Sequence, residues 1–200
     1  MARSKAFDRT VVLGKAMELF WKKGFHATSV QDLVDHVGIN RASMYDTFIS
    51  KEHLFFEALS MYQQSDLKAL RAFDGDPTQA RIFIKDFLNG LVQHNVNDID
   101  HKGCFIANTL TESNTQTNNV LELLRENKED FTNQLCYLIG MARNAGHVQS
   151  AIDDLSLARH LFAFAYGMNV VSHIEHNGAH LQSMVDTQLT LLFGADFVKG

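Results

Sequence analysis

Apolar residues recur at three- and four-residue intervals almost from the start of this chain, the spacing of amphipathic helices. Val12, Ala16, Leu19 and Phe20 share one stripe of a helix predicted over residues 8–23, which Gly24 ends as a C-terminal cap. A second helix begins within Ala27-Thr28-Ser29-Val30-Gln31-Asp32. There Thr28 or Ser29 can cap the orphan amides, and Leu33, Val34 and Val37 carry the helix to a turn at Gly38. Asn40 or Arg41 opens a short third helix whose buried side is Met44 and Phe48, at i, i+4. Leu13, Ala16, Phe20, Val30, Leu33, Val37, Met44 and Phe48 make the expected common core of the three, with Trp21 and Phe25 at the end of the first. Ser50 can cap a fourth helix that starts at Lys51 and passes through Leu54, Phe55, Ala58, Leu59 and Tyr62 to about Ala72, with no linker before it.

Phe73-Asp74-Gly75-Asp76-Pro77 is the clearest break. Pro77 suits the first position of a helix reaching about Val96, with Ile82, Phe83, Phe87, Leu88 and Leu91 as its stripe. A polar loop over 95–102 precedes a short helix from Gly103 onward. A long helix over 117–145 stops near Gly146, and two more, over about 152–176 and 179–193, bring the predicted count to nine. The sequence contains no internal repeat. Length and periodicity therefore predict an all-α fold: a three-helix head containing a helix-turn-helix over residues 1–50, fused to a six-helix body over residues 51–200.

Composition changes this picture little. With 200 residues, 46% of them hydrophobic, one proline and 12 glycines, the chain favours long uninterrupted helices over a sheet. No signal-peptide core and no run of ~18 apolar residues is present, so a soluble, cytoplasmic protein is expected. Cys104 and Cys136 are too few for a disulfide framework. The sequence shows no glycine-rich phosphate loop, no GxSxG and no HExxH, which argues against an enzyme and against a bound cofactor. A helical-bundle enzyme is kept as a remote alternative.

Charge bears on partners. The net charge of −5 speaks against nucleic acid on average, but residues 1–53 hold eight Lys or Arg against six Asp or Glu, a balance of +2. That surplus coincides with Gly38–Leu54, GINRASMYDTFISKEHL. The outer face of its third helix, with Arg41, Ser43, Tyr45, Asp46 and Thr47, offers donors and acceptors suited to phosphates and base edges in a major groove.

The run LFWKKGFHATSV, the segment DLVDHVGINRASMYDTF and the following KEHLFFEAL resemble, in order and spacing, the TetR/AcrR family of one-component transcriptional regulators. The resemblance is specific over residues 8–59, and beyond Leu59 only size and helicity agree. It implies a DNA-binding head, a ligand-binding and dimerisation body, and a homodimeric repressor released from a palindromic operator by a small molecule. Carried over to this chain, it implies phosphate contacts for Thr28, Tyr45 and Lys51, and places Arg41, Ala42, Ser43, Asp46 and Thr47 along the groove. Arg41 is the best candidate for direct readout, since its fork can pair with a guanine. Asp46 departs from the family pattern, and a carboxylate near phosphates needs a cytosine amino group or Arg41 as partner.

Two constellations add other chemistry. Cys104 follows His101-Lys102-Gly103 at a helix start, where a thiol can be activated. GCFIANT also resembles a motif in one AcrR-like branch, some members of which sense reactive compounds at that cysteine. The alternatives for Cys104 are a redox or electrophile sensor and a small packed residue, the latter favoured. His173, His176 and His180 invite a metal reading. Solvated or interface histidines near a helix end are the plainer one, and no metal is expected. For the inducer, aromatics of the body and the polar groups among them give Phe83, Phe87, Cys104, Phe105, Asn108, Glu112, Tyr137, His160 and Tyr166 as candidate ligand residues. The dimer is expected to form through the last two helices, with Leu155, Ala158, Leu161, Phe162, Ala165, Leu181, Val185, Leu189 and Leu192 as their apolar stripes.

Overall fold

Each of the first four helices opens on a side-chain cap. In the computed structural model, which describes residues 7–199, Asp8 accepts from the amides of Thr10 and Val11 and starts α1 (Arg9–Lys23). Ser29 and Asp32 form a reciprocal capping box that starts α2 (Val30–Val37), so the cap is Ser29 and not Thr28. Gly38, left-handed at φ 77°, ends α2 and turns the chain. Asn40 then caps α3 (Arg41–Phe48) by accepting from Ser43 N at 2.8 Å. Ser50 caps α4 (Lys51–Arg71), accepting from His53 N at 3.1 Å.

The body follows as α5 (Ala80–Asn97), α6 (Phe105–Thr111), a 3-10 turn over Ser113–Thr115, α7 (Asn118–Asn144), α8 (Asp154–Val171), α9 (Gly178–Phe193) and α10 (Ala195–Lys199). Ten α-helices and no strand are present among the described residues, against nine predicted, and the extra one is the short α10 after Gly194. Two predicted ends move. Pro77 lies in a turn held by Asp76, whose carboxylate accepts from Thr78 N, and α5 begins three residues later. The eighth helix stops at Val171 because the buried Ser172 hydroxyl turns inward to Asn95 Oδ1 (2.9 Å), so His173 and His176 lie beyond the helix.

One continuous core joins head to body. The three-helix core contains Leu13, Ala16, Phe20, Leu33, Val37, Met44 and Phe48, all buried, with Val30 half-buried. Phe55 of α4 meets Phe20 edge-on at 5.1 Å and Phe105 of α6 at 5.6 Å, so one ring serves both sides. In the body, α7 packs on α4, α5 and α8, and α9 packs on α5. Ala158, Leu161, Ala165, Leu181, Val185, Leu189 and Leu192 are buried within the protomer. These residues, expected at a dimer interface, hold α8 and α9 onto the rest of the same chain. The stripe of α5 is likewise rotated: Ile82 is exposed, and Ala80, Ile84, Leu88 and Val92 are buried.

Candidate nucleic-acid interface and body cavity

The short α3 buries Met44 and Phe48 and leaves Arg41, Ala42, Tyr45 and Asp46 exposed, with Ser43 and Thr47 half-buried. Thr47 Oγ1 donates to Ser43 O at 2.7 Å, so its hydroxyl is engaged along the helix. Other cations of the head are engaged as well: Arg9 with Glu57, Lys22 with Asp100 and Lys23 with Asp32. Arg41 makes no ion pair among the described residues, and neither does Asp46, so the two do not neutralise each other. Lys51, at the first turn of α4, lies over the Phe25 ring at 4.3 Å, and partial burial lowers its ammonium pKa.

Thr28 departs from expectation. It is fully buried, and its hydroxyl donates to Gly24 O at 2.7 Å. The first turn of α2 already holds the Asp32 carboxylate, which hydrogen bonds from Ser29 and Lys23 keep ionised far below its ordinary range. A negative charge therefore occupies the helix terminus where a phosphate was expected, and Thr28 is a packing residue.

Head and body meet at the end of α1. Trp21 Nε1 donates to Gly103 O at 3.1 Å, and Lys102 reaches Glu18 at 2.9 Å while lying over the Trp21 ring. Gly103 holds φ 62°, and a Cβ there would meet the His173 ring at 2.8 Å, so glycine is required at this crossing. Between α3 and α4 only Ile49 and Ser50 intervene. Ile49 sits at φ 65°, ψ −56°, with Ser50 N donating to Phe48 O at 2.6 Å: a tight γ-turn that a β-branched residue rarely adopts.

Behind Trp21, the body holds a partly open cavity of about 230 Å³. Phe87, Cys104 and Tyr166 of the expected ligand set line it, as does Phe131. The other candidates lie elsewhere. Phe105, Asn108 and Glu112 line a separate cleft of about 280 Å³ between the end of α1 and α6, where Asn108 bonds Lys102 O and His173. Phe83 packs on Phe73, Tyr137 is 58% exposed on the outer face of α7, and His160 is exposed and reaches Gln188.

Sequence reasoning passed over Tyr62, Asp66 and His94, which complete the cavity wall. The signal was present in α4. Phe55, Leu59, Tyr62 and Asp66 follow one another at four, three and four residues, which puts a carboxylate on the inward stripe. Burial raises Asp66 to a pKa of about 6, opposed by His94, and no hydrogen bond lowers it. Burial also pushes the Cys104 thiol up to about 12, helped by the Asp66 charge. Desolvation thus outweighs the activating helix terminus, and Lys102 and His101 are engaged with Trp21 and His176. Burial therefore disfavours the thiolate, the form an electrophile sensor needs as its nucleophile.

His173 contacts His101 O and Asn108 through its two ring nitrogens, and His180 contacts Glu175. Among the described residues no group of three or more His, Cys, Asp or Glu side chains is placed to hold a metal. No described helix is long and apolar enough to cross a membrane.

Comparison with known proteins matches both halves of the chain. Residues 12–58 match bacterial regulatory proteins of the tetR family, and residues 80–187 match the tetracyclin repressor-like C-terminal domain. The HTH-type transcriptional regulator YezE of Bacillus subtilis (strain 168) is 27% identical over 197 residues, covering 96% of this chain and 100% of the relative. The HTH-type transcriptional repressor ComR of Escherichia coli (strain K12) is 26% identical, covering 95% and 90%. Among solved structures, the reduced form of E. coli NemR superposes with a TM-score of 0.79 at 17% identity, covering 92% and 96%. A cysteine mutant of CifR in complex with a 26-bp operator superposes with a TM-score of 0.78 at 23% identity, covering 96% and 100%.

Proposed function

This chain belongs to the tetR family of bacterial regulatory proteins and is a DNA-binding transcriptional regulator; on that premise we propose a homodimeric repressor released from a palindromic operator by a small molecule. One observation carries this reading: only two residues separate the reading helix from α4, which itself lines the body cavity. In this account residues 1–50 form the DNA-binding domain and residues 51–200 the ligand-binding and dimerisation domain.

Arg41, Ala42, Ser43, Tyr45, Asp46 and Thr47 face the groove. Arg41 reads a base edge, Tyr45 and Lys51 hold phosphates, and Asp46 accepts from a cytosine amino group. ComR is named as a repressor and CifR was solved on its operator, which supports extending both properties to this protein. A single three-helix head buries too little for tight specific binding, so two heads enter successive major grooves. The outward face of α8 carries Ala163, Gly167 and Val170, all exposed, and Leu191 projects from α9 at 67% exposure. Small and apolar positions there permit close approach of a second copy.

Release works through contact. Tyr62 and His94 line the cavity, and the same two rings lie against Trp21 at 4.9 and 6.3 Å. A ligand that moves those rings moves the end of α1 and, through α4, the start of the head. Taking the operator-competent population from 99% to 1% requires the ligand to favour the released state by roughly 5.5 kcal/mol. Cys104 lines the cavity as a neutral thiol and takes no covalent part.

The test is fluorescence anisotropy on an operator selected from random duplexes. Wild type binds it as a dimer, and Arg41→Ala binds at least about fivefold more weakly without loss of folded structure. Equal binding by Arg41→Ala would overturn the assignment of the reading helix.

A further inference from the structure

We propose that the body cavity is built for a small organic ammonium ion bearing N–H donors, with Asp66 as its counter-charge. The proposal rests on reading the cavity as the effector site and adds the class of effector.

The wall is chemically one-sided. Its ionisable groups are Asp66 and Tyr62 of α4, His94 of α5, Cys104 and Tyr166 of α8, and it contains no Lys or Arg. Asp66, half-buried on the cavity wall, makes no hydrogen bond or ion pair among the described residues. His94 of α5 lines the same wall, forms no ion pair with Asp66 and is stacked on Trp21. Several of the remaining polar groups are already engaged. Tyr166 donates to Asn127 Oδ1 at 2.7 Å, the Tyr62 hydroxyl lies beside the Cys104 sulfur, and Asn169 donates to Ala165 O. Beside the His94 ring nitrogens, the cavity offers a guest oxygen lone pairs and one carboxylate outside any ion pair, so the matching guest supplies donors and positive charge.

Rings complete the description. Tyr62, Phe87, Phe131 and Tyr166 line the same space, with Phe131 edge-on to both Phe87 (5.7 Å) and Tyr166 (5.6 Å). Aromatic faces attract a cation, whereas a carboxylate guest would meet Asp66 with nothing to offset it. The volume of about 230 Å³ lies below the ~300–1,000 Å³ of drug-sized ligand sites, which selects an amine with one ring or a short chain.

Trp21, the one tryptophan of the chain, touches Tyr62 and His94 and so reports occupancy by fluorescence. Benzylamine, phenethylamine and tyramine are titrated into the full-length protein beside benzyl alcohol, phenethyl alcohol and hydrocinnamate, with calorimetry in parallel. The ammonium probes bind at least about tenfold more tightly than the alcohols, and Asp66→Asn erases that preference. Alcohols binding as tightly as amines, hydrocinnamate binding most tightly, no amine binding at millimolar concentration, or an unchanged preference in Asp66→Asn would each overturn the proposal. The wild-type ranking decides the matter even if the variant folds poorly. The selected operator separates this claim from the one beneath it. Amines that bind through Asp66 but leave the operator complex intact would sink the effector role and keep the cation site, whereas release by hydrocinnamate would do the reverse.

Discussion

Asp66 is the residue whose chemistry and stability pull in opposite directions. Its carboxyl titrates at about 6 in the folded protein against an ordinary 3.8, because burial disfavours the charged form. The folded state therefore binds this proton more tightly than the unfolded chain. The stability it contributes is complete below pH 3.8 and is lost as pH rises through 6, a difference of up to about 3 kcal/mol. Asp66→Asn accordingly raises unfolding free energy by about 1–2 kcal/mol at pH 7.5, after the cost of a new buried amide, and the gain vanishes below pH 4. Urea denaturation at the two pH values checks this, and a destabilised variant at pH 7.5 would contradict it. Cys104 sits on the same wall with its thiol raised to about 12. Cys136, half-buried on α7, is therefore the faster of the two with a thiol-reactive reagent at neutral pH, and Cys104→Ser keeps its response to inducer. At the reading helix, Arg41→Ala costs about 1–3 kcal/mol of operator affinity and leaves Tm unchanged, as expected of an exposed side chain outside any ion pair.

Among the elements, the α3–α4 junction sets how much the body can tell the head. Ile49 is 72% exposed at φ 65°, so its side chain contributes little packing while its backbone is strained. Ile49→Gly relieves that strain and raises stability by about 1 kcal/mol, measured by thermal unfolding. Two glycines inserted between Ile49 and Ser50 leave operator binding largely intact and abolish release by inducer, and unimpaired release would show that coupling runs through Trp21 alone. Caps and stripes made these elements legible: Ser50, Gly38 and the Met44–Phe48 pair sit where the periodicity placed them. Ends governed by tertiary contacts were not legible. The end of α8 depends on Ser172 finding Asn95 across 77 residues, and the rotation of α5 depends on what α7 and α9 present to it. The burial of Thr28 is not legible in sequence, because a hydroxyl at a helix start looks alike whether it faces a phosphate or the Gly24 carbonyl.

At the scale of the whole molecule, the fold and the solvent-exposed side of α3 could be read from one sequence because they rest on local spacing. The cavity could not, because Tyr62, His94, Cys104, Phe131 and Tyr166 come from five separate parts of the chain and are brought together only by packing. The aromatic path from Phe105 through Phe55 to Phe20 makes head and body one core, so a change in one shifts the other. In the proposed dimer the second copy adds the second head, and a bulky charged substitution on the outward face of α8, Gly167→Glu, is expected to yield a monomer by light scattering that binds operator at least tenfold more weakly. The central claim is that two copies of α3 read an inverted repeat. Selecting bound sequences from random duplexes tests it most directly. The account predicts enrichment of a palindrome with half-sites about 34–36 Å apart, or a comparable multiple, bound by two protomers and lost in Arg41→Ala. Binding with no sequence preference, or a single half-site held by one protomer, would contradict it.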